Sequence, residues 1–343
     1  MARLTLSRAV APTAREWLRL CVAADRLELA GVAGADVAGS DCFVDAALAA
    51  AVTTRVPVSV LIALPTRSAL QTAAAAANLL AVAGTGRFSL GLGPGSDQVI
   101  EGGHGGTFAP PVGRLREYLA AVAAILRGPV GQPIRYDGRF FRAAGIGYGF
   151  SAKDLPIIVG ASGPQMIRLA CEVADGLALH LLTPRTVVRR RVALARTLRP
   201  SPFPISAGIL TSVHEDEREA LRRARLEVTA ALAIPRFLPR LAELAGDELA
   251  SRFSGTVQDG RFRDAATFLD DAIVREFAIV CRPEALADEI AQLDFVETAS
   301  PVPVGQFCLS VPALGITPAD WHDSQARVAR AIFGEEREGE DGA

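Results

Sequence analysis

Lysine is almost missing from this chain: of 36 basic residues only Lys153 is a lysine, and it stands in a polar stretch, so chemistry needing a Schiff-base or basic lysine is set aside. Histidine is scarce at 4 residues. The 5 cysteines, Cys21, Cys42, Cys171, Cys281 and Cys308, form no C-x-x-C pair and have no histidine at ligand spacing, which excludes a disulfide framework and a zinc site and leads us to expect no metal. Charge of one sign is missing too. With 38 acidic against 36 basic residues spread along the chain, the net charge is -2, and neither a nucleic-acid surface nor any other polyanion partner is implied. Residues 1–10 contain no signal-peptide core, and the alanine-rich run 73–83 is too short and too weakly apolar to span a bilayer, so no membrane contact and a reducing cytoplasm are expected.

What the chain does have is apolar residues, 50% of the total against 22% charged, enough to bury a substantial core. Its 343 residues fit one α/β barrel as well as two smaller domains, and one domain over 1–334 with a disordered charged tail over 335–343 is the expectation. Strand-like runs alternate with helical patterns eight times. The strands fall at 3–8, 31–38, 56–64, 87–93, 155–160, 176–182, 203–210 and 305–311. Helices are expected at 13–28, 42–52, 67–84 with Gly84 as its stop, 112–128, 215–244 and 320–333. Repeated βα units of this kind predict a (β/α)8 TIM barrel with insertions after strands 4 and 7. The first insertion holds the glycine-rich loop 93–111 and a hairpin turning at Asp137-Gly138; the second is a polar stretch over 245–271. "GLGPGS" at Gly91 approaches a dinucleotide fingerprint, but Ser96 stands where the third glycine belongs and the segment follows the fourth strand.

Chemistry in such a barrel is sought just after each strand. After the fifth strand the chain reads "PIIVGASGPQMIRLACEVADG", a strand running into a helix through Gly160, Ala161, Ser162, Gly163 and Pro164. A helix start offers free N–H groups and the positive end of the dipole, and small side chains would let a phosphate reach the backbone. The alternative is a tight turn with Ser162 or Gly163 as an ordinary cap.

"GRFSLGLGPG", "FAPPVGRLREYLAAVAAILRG", "YDGRFF" and "PIIVGASGPQMIRLACEVADGLALHLLTP", in this order, resemble the bacterial-luciferase-like oxidoreductases, most closely the branch that uses the deazaflavin coenzyme F420. The resemblance is close over residues 80–190. It implies a barrel holding a deazaflavin ring across its mouth, with the coenzyme phosphate on Gly160, Ala161, Ser162 and Gly163. Gly93, Pro94 and Ser96 would line the ring, and Ile62, Ala63 and Leu64 would form a bulge with a cis peptide behind it. FMN is the alternative cofactor. Members of that branch often carry an acidic residue after the fourth-strand glycines and a histidine with a tryptophan after the second strand. Here Ser96 and "GSDCFVDA" stand in those places, so the usual proton donor is missing.

The remaining candidates near strand ends are Asp41, Asp97 and His180. Asp41 is either a general acid, if burial raises its pKa, or a plain helix cap. His180 contacts ring or substrate, or is a hydrogen-bonded structural histidine. Arg185 is assigned to the anionic coenzyme tail, and Arg190 and Arg191 to a solvated helix face. The implied function is hydride transfer between reduced deazaflavin and a C=C or C=N bond of a small or peptide-like substrate. An FMN monooxygenase is the alternative, and a barrel without turnover, acting as a partner subunit, is the second. A homodimer is expected, through the alanine-rich helices after the second and third strands.

Overall fold

A computed structural model describes residues 4–8, 13–36, 40–147, 149–200, 202–293 and 307–310, with 323, 327, 328 and 330–332 near the C-terminus. The tail 335–343 and most of the expected closing helix lie outside the described residues. Eleven strands are described: β1 (Leu4–Ser7), β2 (Gly31–Gly34), β3 (Val58–Ala63), β4 (Phe88–Leu92), β5 (Pro133–Asp137), β6 (Arg142–Gly147), β7 (Ile157–Ala161), β8 (Gly176–Leu179), β9 (Ile205–Val213), β10 (Ala278–Cys281) and β11 (Phe307–Ser310).

Eight of them close a parallel ring. The hydrogen-bonded order is β1-β2-β3-β4-β7-β8-β9-β11, and β11 returns to β1 with Leu4 opposite Phe307 and Leu6 opposite Leu309. This is the α/β barrel anticipated from the alternation of elements, and its strands are nearly all buried, as parallel strands covered by helices must be. Between β4 and β7 lie helix 111–127 and an antiparallel hairpin of β5 and β6.

The departures have local causes. Helix 217–232 stops where the pattern would have run on to 244, because Pro235 has no N–H to donate and its ring would clash with the preceding turn; a separate helix, 238–245, follows. The polar stretch after it is helical, at 247–258 and 262–267. β10 is a further strand, unforeseen from sequence. It pairs with the last residues of β9, Leu210 to Val213, while β8 pairs with the first, Ile205 to Ala207. Leu210 also pairs Ser310 of β11, so β10 must occupy the edge of β9 that β8 has left.

Local rules hold elsewhere. Thr13 with Glu16 and Ser68 with Gln71 make capping boxes, each satisfying leading N–H groups of helices 14–26 and 69–83. Gly84 ends the second of these at φ 90. At the end of β2 the helix 42–52 comes so close that a Cβ on Gly34 would lie 2.3 Å from the Cys42 carbonyl oxygen. Trp17, Tyr118, Phe88 and Phe203 anchor the core between barrel and helices, and Phe237, Phe253 and Phe277 anchor a second one beneath helices 217–232 and 247–258.

Candidate active site

The carboxyl ends of the neighbouring strands β3, β4 and β7 meet where the Ile62 side chain packs against Gly93 and Gly160. At the end of β3 the register to β4 slips between Val60 and Ala63, and the Leu61-Ile62 peptide is cis. The Gly93 N–H donates to the Ala63 carbonyl at 3.1 Å. Ile62 fills the angle. A Cβ on Gly93 would lie 2.1 Å from Ile62 Cδ1, and one on Gly160 would lie 3.0 Å from Ile62 Cγ2, so two glycines and one isoleucine form a floor that a flat ring can approach. Ala63 and Leu64 are buried beneath it, and Pro94 is half-buried at its edge.

Asp36 ties this bulge to the loop after β2. Its Oδ2 accepts from the Leu64 N–H at 3.3 Å and its Oδ1 from the Cys42 N–H at 3.1 Å. No motif marked Asp36, because its role depends on a residue 28 positions away. Asp36, Asp41 and Cys42 bring ligand atoms within 4.8 Å of one another. Both carboxylates are already engaged and burial pushes the Cys42 thiol up, which keeps it protonated and a poor metal ligand.

The turn after β7 is open. Gly163 is the N-cap of helix 164–173, Pro164 takes the first helical position as anticipated, and no side chain caps the helix start. A Cβ on Gly163 would meet nothing within 4 Å. Ala161 is buried and Ser162 exposed. Leading N–H groups without a side-chain acceptor, beside a position with open space, suit an anionic group.

The charge beside this turn comes from a place the sequence did not mark. Arg240 in helix 238–245 donates through Nη2 to Ser162 Oγ at 3.2 Å and through Nη1 to the carbonyls of Leu181 and Leu182, each at 2.9 Å. Those bonds hold the loop after β8, where Leu182 adopts the left-handed φ of 61 that non-glycine residues avoid. Its guanidinium stacks on Phe237 with the carbon 4.5 Å from the ring centroid, and Arg236 stacks on the same ring at 4.3 Å. Burial and the Arg236 charge push Arg240 down to about 10, so it remains cationic at neutral pH. The signal in the sequence was the spacing "RFLPR" directly after Pro235, two arginines one helical turn apart around a phenylalanine.

The other candidates take different parts. Asp41 is the N-cap of helix 42–52, accepting from Phe43 and Val44 N–H groups, and it pairs with Arg67. Burial alone would raise its carboxyl, but the Val44 N–H, Arg67 and the Phe43 N–H outweigh it and hold the pKa below the ordinary range. Of the two readings of Asp41, general acid or plain helix cap, its contacts are those of the cap. Ser96 is buried, and its Oγ accepts from the Val99 N–H at 3.2 Å at the start of the turn 98–103.

His180 packs on Phe237 with ring centroids 5.3 Å apart, its Nδ1 against the Leu181 carbonyl and 3.3 Å from Arg240 Nη1. Burial and the adjacent Arg240 push it down to about 3, which favours the neutral imidazole over an imidazolium. Arg185 donates through Nη2 to the Ala278 carbonyl of β10 at 3.1 Å, and its buried Nε has no partner among the described residues. Arg190 and Arg191 pair with Glu243. Asp97 and His104 are exposed at the two ends of the turn 98–103.

Comparison with known proteins places this geometry in context. The sequence profile of the luciferase-like monooxygenase family matches residues 2–299. A 5,10-methylenetetrahydromethanopterin reductase of Archaeoglobus fulgidus is 30% identical over 217 residues, which span 61% of this chain and 64% of that protein. Among solved structures, the coenzyme F420-dependent tetrahydromethanopterin reductase of Methanopyrus kandleri superposes with a TM-score of 0.73 at 20% identity, covering 96% of this chain and 98% of that one. An F420-dependent secondary alcohol dehydrogenase in complex with an F420-acetone adduct superposes with a TM-score of 0.71 at 16% identity, covering 98% and 99%.

Proposed function

The chain belongs to the luciferase-like monooxygenase family, and on that premise we propose that it is an oxidoreductase using the deazaflavin coenzyme F420. The observation that carries this reading is the pairing of a small apolar floor, where the Ile62 side chain packs over Gly93 and Gly160, with an open, uncapped helix start at Gly163 on the adjacent strand end. A flat ring bearing a phosphate needs both, side by side. Relatives named for F420 or for the methanopterin reduction make the deazaflavin the first choice.

Bound there, the coenzyme supplies or takes up a hydride, and the substrate is a small molecule or modified peptide with a polarised C=C or C=N bond, or the corresponding reduced form. The protein's part is orientation. Gly160 to Gly163 hold the phosphate, the Ile62 bulge backs the ring, and Asp36 keeps the bulge in register with the loop after β2. Neither Asp41 nor His180 delivers a proton to the substrate: the first is held ionised and the second neutral.

The family's own description as monooxygenases favours FMN as the second reading, because the same floor and turn accept a flavin. Fluorescence titration of the purified protein with F420 and with FMN separates the two. Micromolar or tighter binding of F420, about -8 kcal/mol or better, is the expected result. A clear preference for FMN moves the assignment to the monooxygenase, and binding of neither leaves a barrel without turnover. The protein also works as a homodimer in this reading. Helices 42–52 and 69–83 carry one charged side chain, the buried Asp45, and expose Val44, Val52 and Val82.

A further inference from the structure

Arg236, Phe237 and Arg240 form a cationic wedge that the barrel itself does not explain. Two guanidiniums stack on one ring, at 4.3 and 4.5 Å, where each repels the other. No carboxylate among the described residues makes an ion pair with either. Arg240 is largely buried, its partners being the Ser162 hydroxyl, the carbonyls of Leu181 and Leu182, and an imidazole that stays neutral. Carbonyl dipoles orient a guanidinium but do not neutralise it, and the acids that act on the pair, Glu243 on Arg240 and Asp97 on Arg236, do so through space without an ion-pair contact. By contrast, Arg191 pairs directly with Glu243, and Arg225 with Asp271. Among the described residues the wedge therefore lacks the direct ionic contact that these two arginines have.

We infer that Arg240 and Arg236, carried to the barrel mouth by the break at Pro235, bind the phosphate of the coenzyme together with the turn 160–163, an inference that rests on the cofactor reading above. Ser162 is the geometric link. It belongs to the turn and is already hydrogen-bonded to Arg240, so an anion seated on the turn's N–H groups lies within reach of the guanidinium fork, which is built for phosphate oxygens. The consequence is that the helical segment between β9 and β10 is part of the cofactor site. A phosphate would satisfy three things at once: the uncapped helix start, the buried charge of Arg240, and the mutual repulsion of the two arginines.

The test compares two ligands on three proteins. Affinities for F420 and for its phosphate-free deazaflavin-ribitol chromophore are measured by fluorescence for wild type, Arg236→Ala and Arg240→Ala, with circular dichroism as the check of folding. Arg236 is exposed and makes no hydrogen bond among the described residues, so its removal leaves the bonds that hold the loop after β8 intact. Expected are losses for F420 of about tenfold in Arg236→Ala and about a hundredfold in Arg240→Ala. The phosphate-free chromophore should bind all three proteins alike. Equal losses for both ligands would make Arg240 a mere support for the loop and overturn the inference, as would unchanged F420 affinity in both variants. Should Arg240→Ala fail to fold, Arg236→Ala alone decides by the same comparison. Wild type that binds neither ligand overturns the cofactor reading and this inference with it, whereas wild-type binding that survives both substitutions overturns this inference alone.

Discussion

Replacing Gly163 by aspartate separates an anion site from an ordinary turn, because the structure fixes what the new side chain can do. Gly163 has φ -98 and ψ 161, a conformation any residue adopts, and a Cβ there meets nothing within 4 Å. No steric cost arises. As the N-cap of helix 164–173, an aspartate is also better than glycine by a few tenths of a kcal/mol, so the variant should melt no lower than wild type. Its carboxylate would then occupy the space beside the uncapped N–H groups. Against a phosphate about 4 Å away the repulsion is about 1 kcal/mol in water and about 4 kcal/mol at an effective dielectric of 20. The turn is half open to solvent, and an intermediate cost of about 2.7 kcal/mol corresponds to a hundredfold loss of coenzyme affinity. Fluorescence titration with F420 beside a thermal melt reads both quantities. A variant that melts normally and binds F420 as tightly as wild type refutes the assignment of the phosphate to this turn.

Gly34→Ala should destabilise the protein by about 3 kcal/mol or more, since its Cβ would sit 2.3 Å from a backbone oxygen that cannot rotate away; an unchanged denaturation midpoint contradicts the packing described. His180 carries a folded pKa depressed to about 3 against an ordinary 6.5, so the unfolded chain binds that proton first, and stability falls as pH drops from about 6.5 toward 3. Proton NMR of its ring should show no titration between pH 5 and 8; a midpoint near 6.5 disproves the buried, Arg240-flanked environment. Val44→Glu combined with Val82→Glu should convert a dimer to a monomer in sedimentation at micromolar concentration, because both side chains are more than half exposed, at 56% and 59%, on helices without exposed charge. A wild type that sediments as a monomer counts against dimerisation itself.

Much of the architecture was legible because it follows from short-range patterns. Eight apolar runs separated by helical periodicity dictate a parallel barrel, Gly84 stops its helix, and Pro164 opens the helix after the small-residue turn. The resemblance likewise led to the end of β3, where the register slip and the cis Leu61-Ile62 bond lie one residue earlier than the Ile62 to Leu64 segment named from sequence. β10 escaped notice because four apolar residues after a helix carry no period of their own.

Charges were where sequence alone ran out. Asp41 could be read as an acid or as a helix cap, and its titration depends on Arg67, 26 residues on, and on two N–H groups that exist only once the helix forms. Arg185 and Arg240 are both arginines in helices on the rim of the barrel; one faces the Ala278 carbonyl and the other Ser162, across separations of 93 and 78 residues. Hydrophobic period and turn chemistry act over a few residues and can be read along the chain. The protonation state of His180 and the identity of the arginine beside the turn depend on burial and on distances between remote segments, and those quantities have values only when the barrel has closed.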